Sequence, residues 1–135
     1  MNAPLDLLTG AQDAIVRLIQ EQLPPDRRDM VRQSLKQDFE PPFHLVGDIN
    51  SDNAGRPGEQ LEEIEADIHT VYRGGDRREL LKLLHEVRLA TDHATLELDG
   101  ATYQVRWHGA IASAAAGDGK TYAGLTTLNI IAEPA

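Results

Sequence analysis

The stretch Ala116-Gly117-Asp118-Gly119-Lys120-Thr121-Tyr122 decides how this chain folds. Its Gly-Lys-Thr reads like the end of a phosphate-binding loop. In that reading it lies between a strand and a helix, and the fold is a nucleotide-binding α/β sheet. In the other reading it is a turn between two antiparallel strands. A phosphate loop needs Gly-x-x-x-x-Gly-Lys-Ser/Thr, but the residue five before Gly119 is Ala114. After Thr121 comes Tyr-Ala-Gly-Leu-Thr-Thr-Leu-Asn-Ile-Ile, which has strand composition. The first glycine and the helix are both missing. Asp118-Gly119 is instead a natural hairpin turn, because both residue types tolerate positive φ.

Working outward, the same antiparallel logic recurs. Thr95–Leu98 and Thr102–His108 flank Asp99-Gly100, a second hairpin signal, and Thr121–Glu133 is a long final strand. Tyr103, Val105 and Trp107 alternate as core residues. Upstream, Asp76 has capping-box spacing to Glu79. Leu80, Leu81, Leu83, Leu84, Val87 and Leu89 then form the apolar side of a helix running to about residue 90. Ile64, Ala66, Ile68, Thr70 and Tyr72 alternate with Glu63, Glu65, Asp67 and His69, a strand with one buried and one wet acidic face. Phe43–Ile49 reads as a strand and Asn50–Gln60 as a long polar loop.

The N-terminal third is helical in pattern. Leu8, Ala11, Ile15, Leu18, Ile19 and Gln22 share one side of a helix from Pro4 to Leu23, started by Pro4 or Thr9 and stopped by Pro24-Pro25. Residues 24–40 are polar. Asp26–Gln37 reads as a short surface helix capped by Asp26, with Met30, Val31 and Leu35 as its apolar points. The element order predicts one α+β domain over residues 1–135. It is a mainly antiparallel sheet, with a long N-terminal helix and a central helix packed on one face.

Composition narrows the function classes. The chain has 135 residues and a formal charge of −9. Residues 1–40 contribute −2, residues 41–76 contribute −6 and residues 77–135 contribute −1, so the acidity is concentrated in the middle. Tight wrapping on nucleic acid needs Lys and Arg on phosphates, and this balance opposes it. The absence of cysteine excludes disulfides, thiol catalysis and cysteine-bound metals, and suits a reducing compartment. No stretch approaches the roughly 18 apolar residues that span a bilayer. The first residues lack a basic run and carry Asp6, so they do not read as a secretion signal.

Three chemical readings compete. Asp48, Asn50, Asp52 and Glu59 match positions 1, 3, 5 and 12 of a calcium loop. Position 6 is Asn53 where glycine is needed, and the flanks read as strands, so the alternative is a polar turn-rich loop. A small metal- or ligand-binding domain built on Asp48–Glu59 is nevertheless the second functional reading. A third is an enzyme working through His69, Glu65 and Asp67, which needs a pocket around that face. His85-Glu86 starts a zinc-protease pattern, but residue 89 is Leu. No serine sits in a Gly-x-Ser-x-Gly elbow. No catalytic residue, resident metal or cofactor is expected.

Several phrases together resemble the tail-completion, or tail-terminator, family of long-tailed bacteriophages. They are Pro42-Phe43-His44-Leu45-Val46-Gly47-Asp48, the alternating strand Ile64–Tyr72, the Leu-rich helix Asp76–Leu89, Leu96-Glu97-Leu98-Asp99-Gly100 and Asp118-Gly119-Lys120-Thr121-Tyr122. The resemblance covers residues 42–133, and residues 24–40 depart from it. It implies a non-enzymatic virion protein, assembled in the bacterial cytoplasm and located in the neck. Such a protein forms a homo-oligomeric, hexameric ring on the tail tube protein, ends tube polymerisation and meets the head connector or stopper protein. DNA passes through the ring without specific binding. On that implication Asp48, Asp52, Glu59, Glu62, Glu63, Glu65 and Asp67 are the candidate acidic segment facing the lumen or a partner.

Overall fold

The structure, a computed structural model, describes residues 3–33 and 40–135. Its chain order is α1 (Leu7–Gln22), a 3₁₀ turn (Pro25–Met30), β1 (Val31–Arg32), β2 (Phe43–Asn53), β3 (Glu62–Arg73), α2 (Arg77–Thr91), β4 (Ala94–Leu98), β5 (Ala101–Ala112) and β6 (Thr121–Pro134). The strands form one six-stranded sheet in the order β1-β2-β3-β6-β5-β4. All pairings are antiparallel except β1 with β2. The α+β expectation therefore holds.

The sheet is organised around β3 and β6, which pair over their full length from Glu62↔Ala132 to Arg73↔Thr121. Their alternation puts Ile64, Ala66, Ile68, Leu128, Ile130 and Ala132 on one face, and all six are buried. Both helices cover that face and pack against each other. From α1 come Leu7, Ala11, Ala14, Ile15 and Ile19; from α2 come Leu80, Leu83, Leu84, Val87 and Ala90. Among the described residues, no helix covers the opposite face of the sheet.

Local chemistry sets the boundaries. Asp6 caps α1, its carboxylate accepting from the Thr9 amide at 3.0 Å and from the Thr9 hydroxyl at 2.7 Å. The helix thus starts neither at Pro4 nor at Thr9. Its buried stripe is also turned slightly from the expected one, with Leu8 and Gln22 exposed and Leu7 and Ala14 inside. Asp76 caps α2 by accepting from the Arg78 amide at 2.9 Å. Glu79 does not complete a capping box, since its side chain bonds Lys82 instead. Leu81 and Leu89, 47% and 58% exposed, lie outside the stripe that meets the sheet.

Two larger differences concern β2 and the segment before it. The loop expected from Asn50 begins only after Asn53. Asn50, Ser51, Asp52 and Asn53 are held in β2 by pairing with Glu65, Ile64, Glu63 and Glu62. Polar residues with poor strand propensity are extended here because a partner strand supplies their backbone bonds. The expected helix over 26–37 is a 3₁₀ turn that ends at Met30 and gives way to β1. Met30 and Val31 are buried against α1 and the sheet, and this burial outweighs the weak helical pattern. The rest of that expected helix from Ser34 on, including Leu35, lies outside the described residues.

At Gly10, α1 lies directly against Tyr103 of β5. A Cβ there would run into the phenol end of Tyr103, which is 2% exposed. Gly10→Ala should therefore destabilise the fold by about 1–3 kcal/mol despite alanine's better helix propensity. Denaturant unfolding should show a lower midpoint with an unchanged slope.

Candidate functional site

The Gly-Lys-Thr stretch is a closed turn. Asp118 Oδ1 accepts from the backbone N–H of Lys120 and of Thr121, both at 2.9 Å, and Oδ2 accepts from the Thr121 hydroxyl at 2.6 Å. Gly119 has φ +70°, a conformation glycine adopts without strain. The amides that would cradle a phosphate are thus occupied by a carboxylate of the turn itself. β6 follows, where a phosphate loop needs a helix.

The open face of the sheet collects most of the predicted acidic segment. Asp52 on β2 and Glu63 and Glu65 on β3 line an open hollow of about 430 Å³ with Asn50, Gln104 and Arg106. Asp52 lies directly across from Glu63, and both are exposed. Like charges so placed work against strand pairing, so packing gives no reason for this pair. Asp67 follows on the same face and accepts from the Thr127 hydroxyl at 3.3 Å. The remaining three predicted residues lie elsewhere. Asp48 sits in the bulge between Val46 and Ile49. Glu62 turns to the helical side of the sheet, bonded to Ser51 and Gln60. Glu59 is in the β2–β3 connection.

This arrangement does not make a calcium loop. Asn50 and Asp52 are on an extended, paired strand and cannot wrap an ion together with Glu59. Among the described residues no group of three His, Asp or Glu side chains could hold a metal. The enzyme reading fares no better. Glu65, Asp67 and His69 are spaced along the strand at roughly 6–7 Å intervals. The His69 ring lies over the bulge, where a Cβ on Gly47 would come within 2.6 Å of Nε2. Glu65 and His69 are exposed, and the open hollow that Glu65 lines does not include Asp67 or His69.

One polar cluster escaped the sequence reading. His44 Nδ1 lies 2.8 Å from the Thr70 hydroxyl, and His44 Nε2 lies 3.6 Å from Glu86 Oε1. Glu86 Oε2 accepts from Arg27 Nη2 at 2.7 Å. Burial pushes the Glu86 carboxyl up, but the His44 imidazole and the Arg27 guanidinium together outweigh it and hold the pKa below the ordinary value. The order Thr70, His44, Glu86 looks like a nucleophile relay. However, Thr70 and His44 are both 0% exposed, so no substrate reaches the hydroxyl. The cluster is a bolt joining the 3₁₀ turn, β2, β3 and α2. Two sequence signals pointed to it. His44 alternates with the apolar Val46, and Glu86 falls three residues after Leu83 and four before Ala90 on the buried helix stripe.

No family model matches the chain, and neither does any curated protein sequence. Among solved structures, a chain in the virion of a native gene transfer agent particle has the same fold. It superposes with a TM-score of 0.73 at 12% identity, over 94% of this chain and 98% of that one. At that identity the likeness is one of fold.

Two predictions test these assignments. The Thr121 hydroxyl, then the Lys120 and Thr121 amides, pull the Asp118 carboxyl from an ordinary 3.8 to about 2. A group depressed on folding adds stability above its unfolded pKa and loses it as the pH falls through the folded one. The Asp118 contribution should thus be complete above pH ~4 and lost towards pH ~2. An NMR titration of its carboxyl carbon should show that low midpoint. In the part-buried bolt, Glu86→Ala should cost about 1–3 kcal/mol in denaturant unfolding, because His44 loses the carboxylate that faces it. By contrast, Glu63→Gln should leave stability unchanged or raise it by up to about 0.5 kcal/mol.

Proposed function

We propose that the chain is a structural protein of a phage-like particle. Within that particle it is the ring that caps the tail tube, ends tube polymerisation and joins the tail to the head connector. The observation that carries the reading is the near end-to-end likeness of fold to a chain of a gene transfer agent virion. The phrases resembling tail terminators supply the finer role.

The mechanism is geometric. A hexameric ring satisfies the open end of the tube on one side and presents no equivalent surface for the next tube subunit on the other. Closing a ring requires head-to-tail contacts between copies. In this assembly the open sheet face with Asp52, Glu63, Glu65 and Asp67 borders the lumen, where negative charge keeps passing DNA from adhering. The Asp52–Glu63 opposition, unfavourable for folding alone, then serves a purpose. The particle is built in the cytoplasm of a bacterial host, and the chain carries out no chemistry there.

Purified chain, alone and with assembled tail tubes, should be measured by light scattering and negative-stain imaging. The expected result is a closed ring, free or seated on tube ends, and tubes that stop growing when it is present. Monomers in both conditions, with tube growth unaffected, would overturn the proposal.

A further inference from the structure

The two ends of the sheet differ in charge. β3 carries the chain across the molecule, roughly 36 Å for its length at strand rise. At its far end stand Arg73, Arg77, Arg78, Lys82 and Lys120 against Asp76, Glu79 and Asp118, a local balance of +2. The Gly74 amide donates to the Lys120 carbonyl at 2.9 Å, which keeps the β6 turn and the α2 start at one corner. At the near end stand Asp6, Glu59, Glu62, Asp99 and Glu133 against Arg56, a local balance of −4. The ladder Ala101↔Pro134 and the bond from the Ala135 amide to the Gly100 carbonyl bring the β4–β5 turn to this end.

The basic corner is not there for the fold. Arg77 and Arg78 occupy the first turn of α2, where the helix dipole disfavours cations. Both are exposed, and neither forms an ion pair among the described residues. The acidic end is concave. An open recess of about 910 Å³ is lined by Leu5, Ser51, Asn53, Glu59, Gln60 and Glu62, among others. Its carboxylate is held in place: Glu62 accepts from Ser51 Oγ at 2.6 Å and from Gln60 Nε2 at 3.0 Å. Gln60 in turn holds the start of α1 through the Leu5 amide and carbonyl. Burial first, and then Asp6, Asp99, Asp13 and Glu62, push the Tyr103 phenol upward.

We infer that the Arg77–Arg78 corner of one copy seats in the acidic recess of the next. An exposed basic corner and a concave acidic end at opposite ends of the sheet fit a heterologous contact, which repeats around a ring. The inference rests on the ring reading and names its subunit contact. A nucleic acid is the other anionic partner open to the corner. A local charge of only +2 on a chain of net −9 makes it the weaker match.

The test uses two full-length variants with the native melting temperature, Arg77→Glu/Arg78→Glu and Glu59→Lys/Glu133→Lys. All four substituted residues are exposed. Sedimentation velocity should show that each variant alone associates roughly tenfold more weakly or worse, since like charges meet at the contact. An equimolar mixture should recover assembly, because the two altered ends complement each other. High salt should weaken the wild type and the mixture alike. A wild-type oligomer that ignores both variants overturns the inference and leaves the ring reading standing. A wild-type chain that remains monomeric even on tube ends overturns the ring reading, and the inference with it. A short DNA duplex bound by the wild type and released by Arg77→Glu/Arg78→Glu, with assembly unaffected, assigns the corner to nucleic acid instead.

Discussion

The pairing of β3 with β6 is the constraint on which the other elements depend. Its uninterrupted ladder sets which residues point to the helices and which to the open face. A slip of one residue would bury Glu63, Glu65 and Asp67 and expose Ile64, Ala66 and Ile68. Each buried Ile or Leu is worth about 1.5–3 kcal/mol in area removed from water, whereas a cross-strand pair on the exposed face is worth only about 0.2–1 kcal/mol. The apolar face therefore dictates the register, and the acidic face is carried along with it. That asymmetry lets the open face hold an opposed pair such as Asp52 and Glu63 without endangering the fold.

The helices hold the sheet by two different means. α1 is seated by close approach, with Gly10 leaving room for the buried Tyr103 ring. α2 is bolted at one edge by Glu86, which reaches both His44 on β2 and Arg27 in the 3₁₀ turn. His44 and Thr70 in this cluster are fully buried, so losing the partner that faces them costs more than the complete cluster contributes. Its effect is to fix where the segment before β1 runs. In this way one glutamate on a helix decides the course of the part of the chain whose own local pattern was weakest.

Charge is spread over the molecule in a manner that folding does not require. The turn at Asp118 and the caps at Asp6 and Asp76 use carboxylates locally, each for backbone amides. Other carboxylates, Asp52, Glu63, Glu65 and Asp67 on the open face and Glu59 and Glu62 at the recess, face outward, and Arg77 and Arg78 at the start of α2 form no ion pair among the described residues. The fold of one chain gives this layout no rationale.

Much of this was legible in the amino-acid sequence. Strict alternation from Ile64 to Tyr72, the Asp99-Gly100 and Asp118-Gly119 turns and the Leu pattern of α2 are local signals. Backbone sterics and one-sided burial read them directly, so the α+β fold and the acidic strand face followed. What tertiary structure alone decided were the features that depend on a partner distant in sequence. β2 runs on through Asn50–Asn53 because β3 lies beside it, and this removed the calcium loop and scattered Asp48, Glu59 and Glu62 away from the open face. The segment after Pro25 becomes a 3₁₀ turn and an edge strand because Met30 and Val31 find a core to enter and Arg27 finds Glu86. Local propensity differs between alternatives by a few tenths of a kcal/mol per residue, while a buried side chain or a ladder of backbone bonds is worth several times more. Where both pointed the same way, the sequence sufficed to determine the structure. Where they conflicted, the distant partner prevailed.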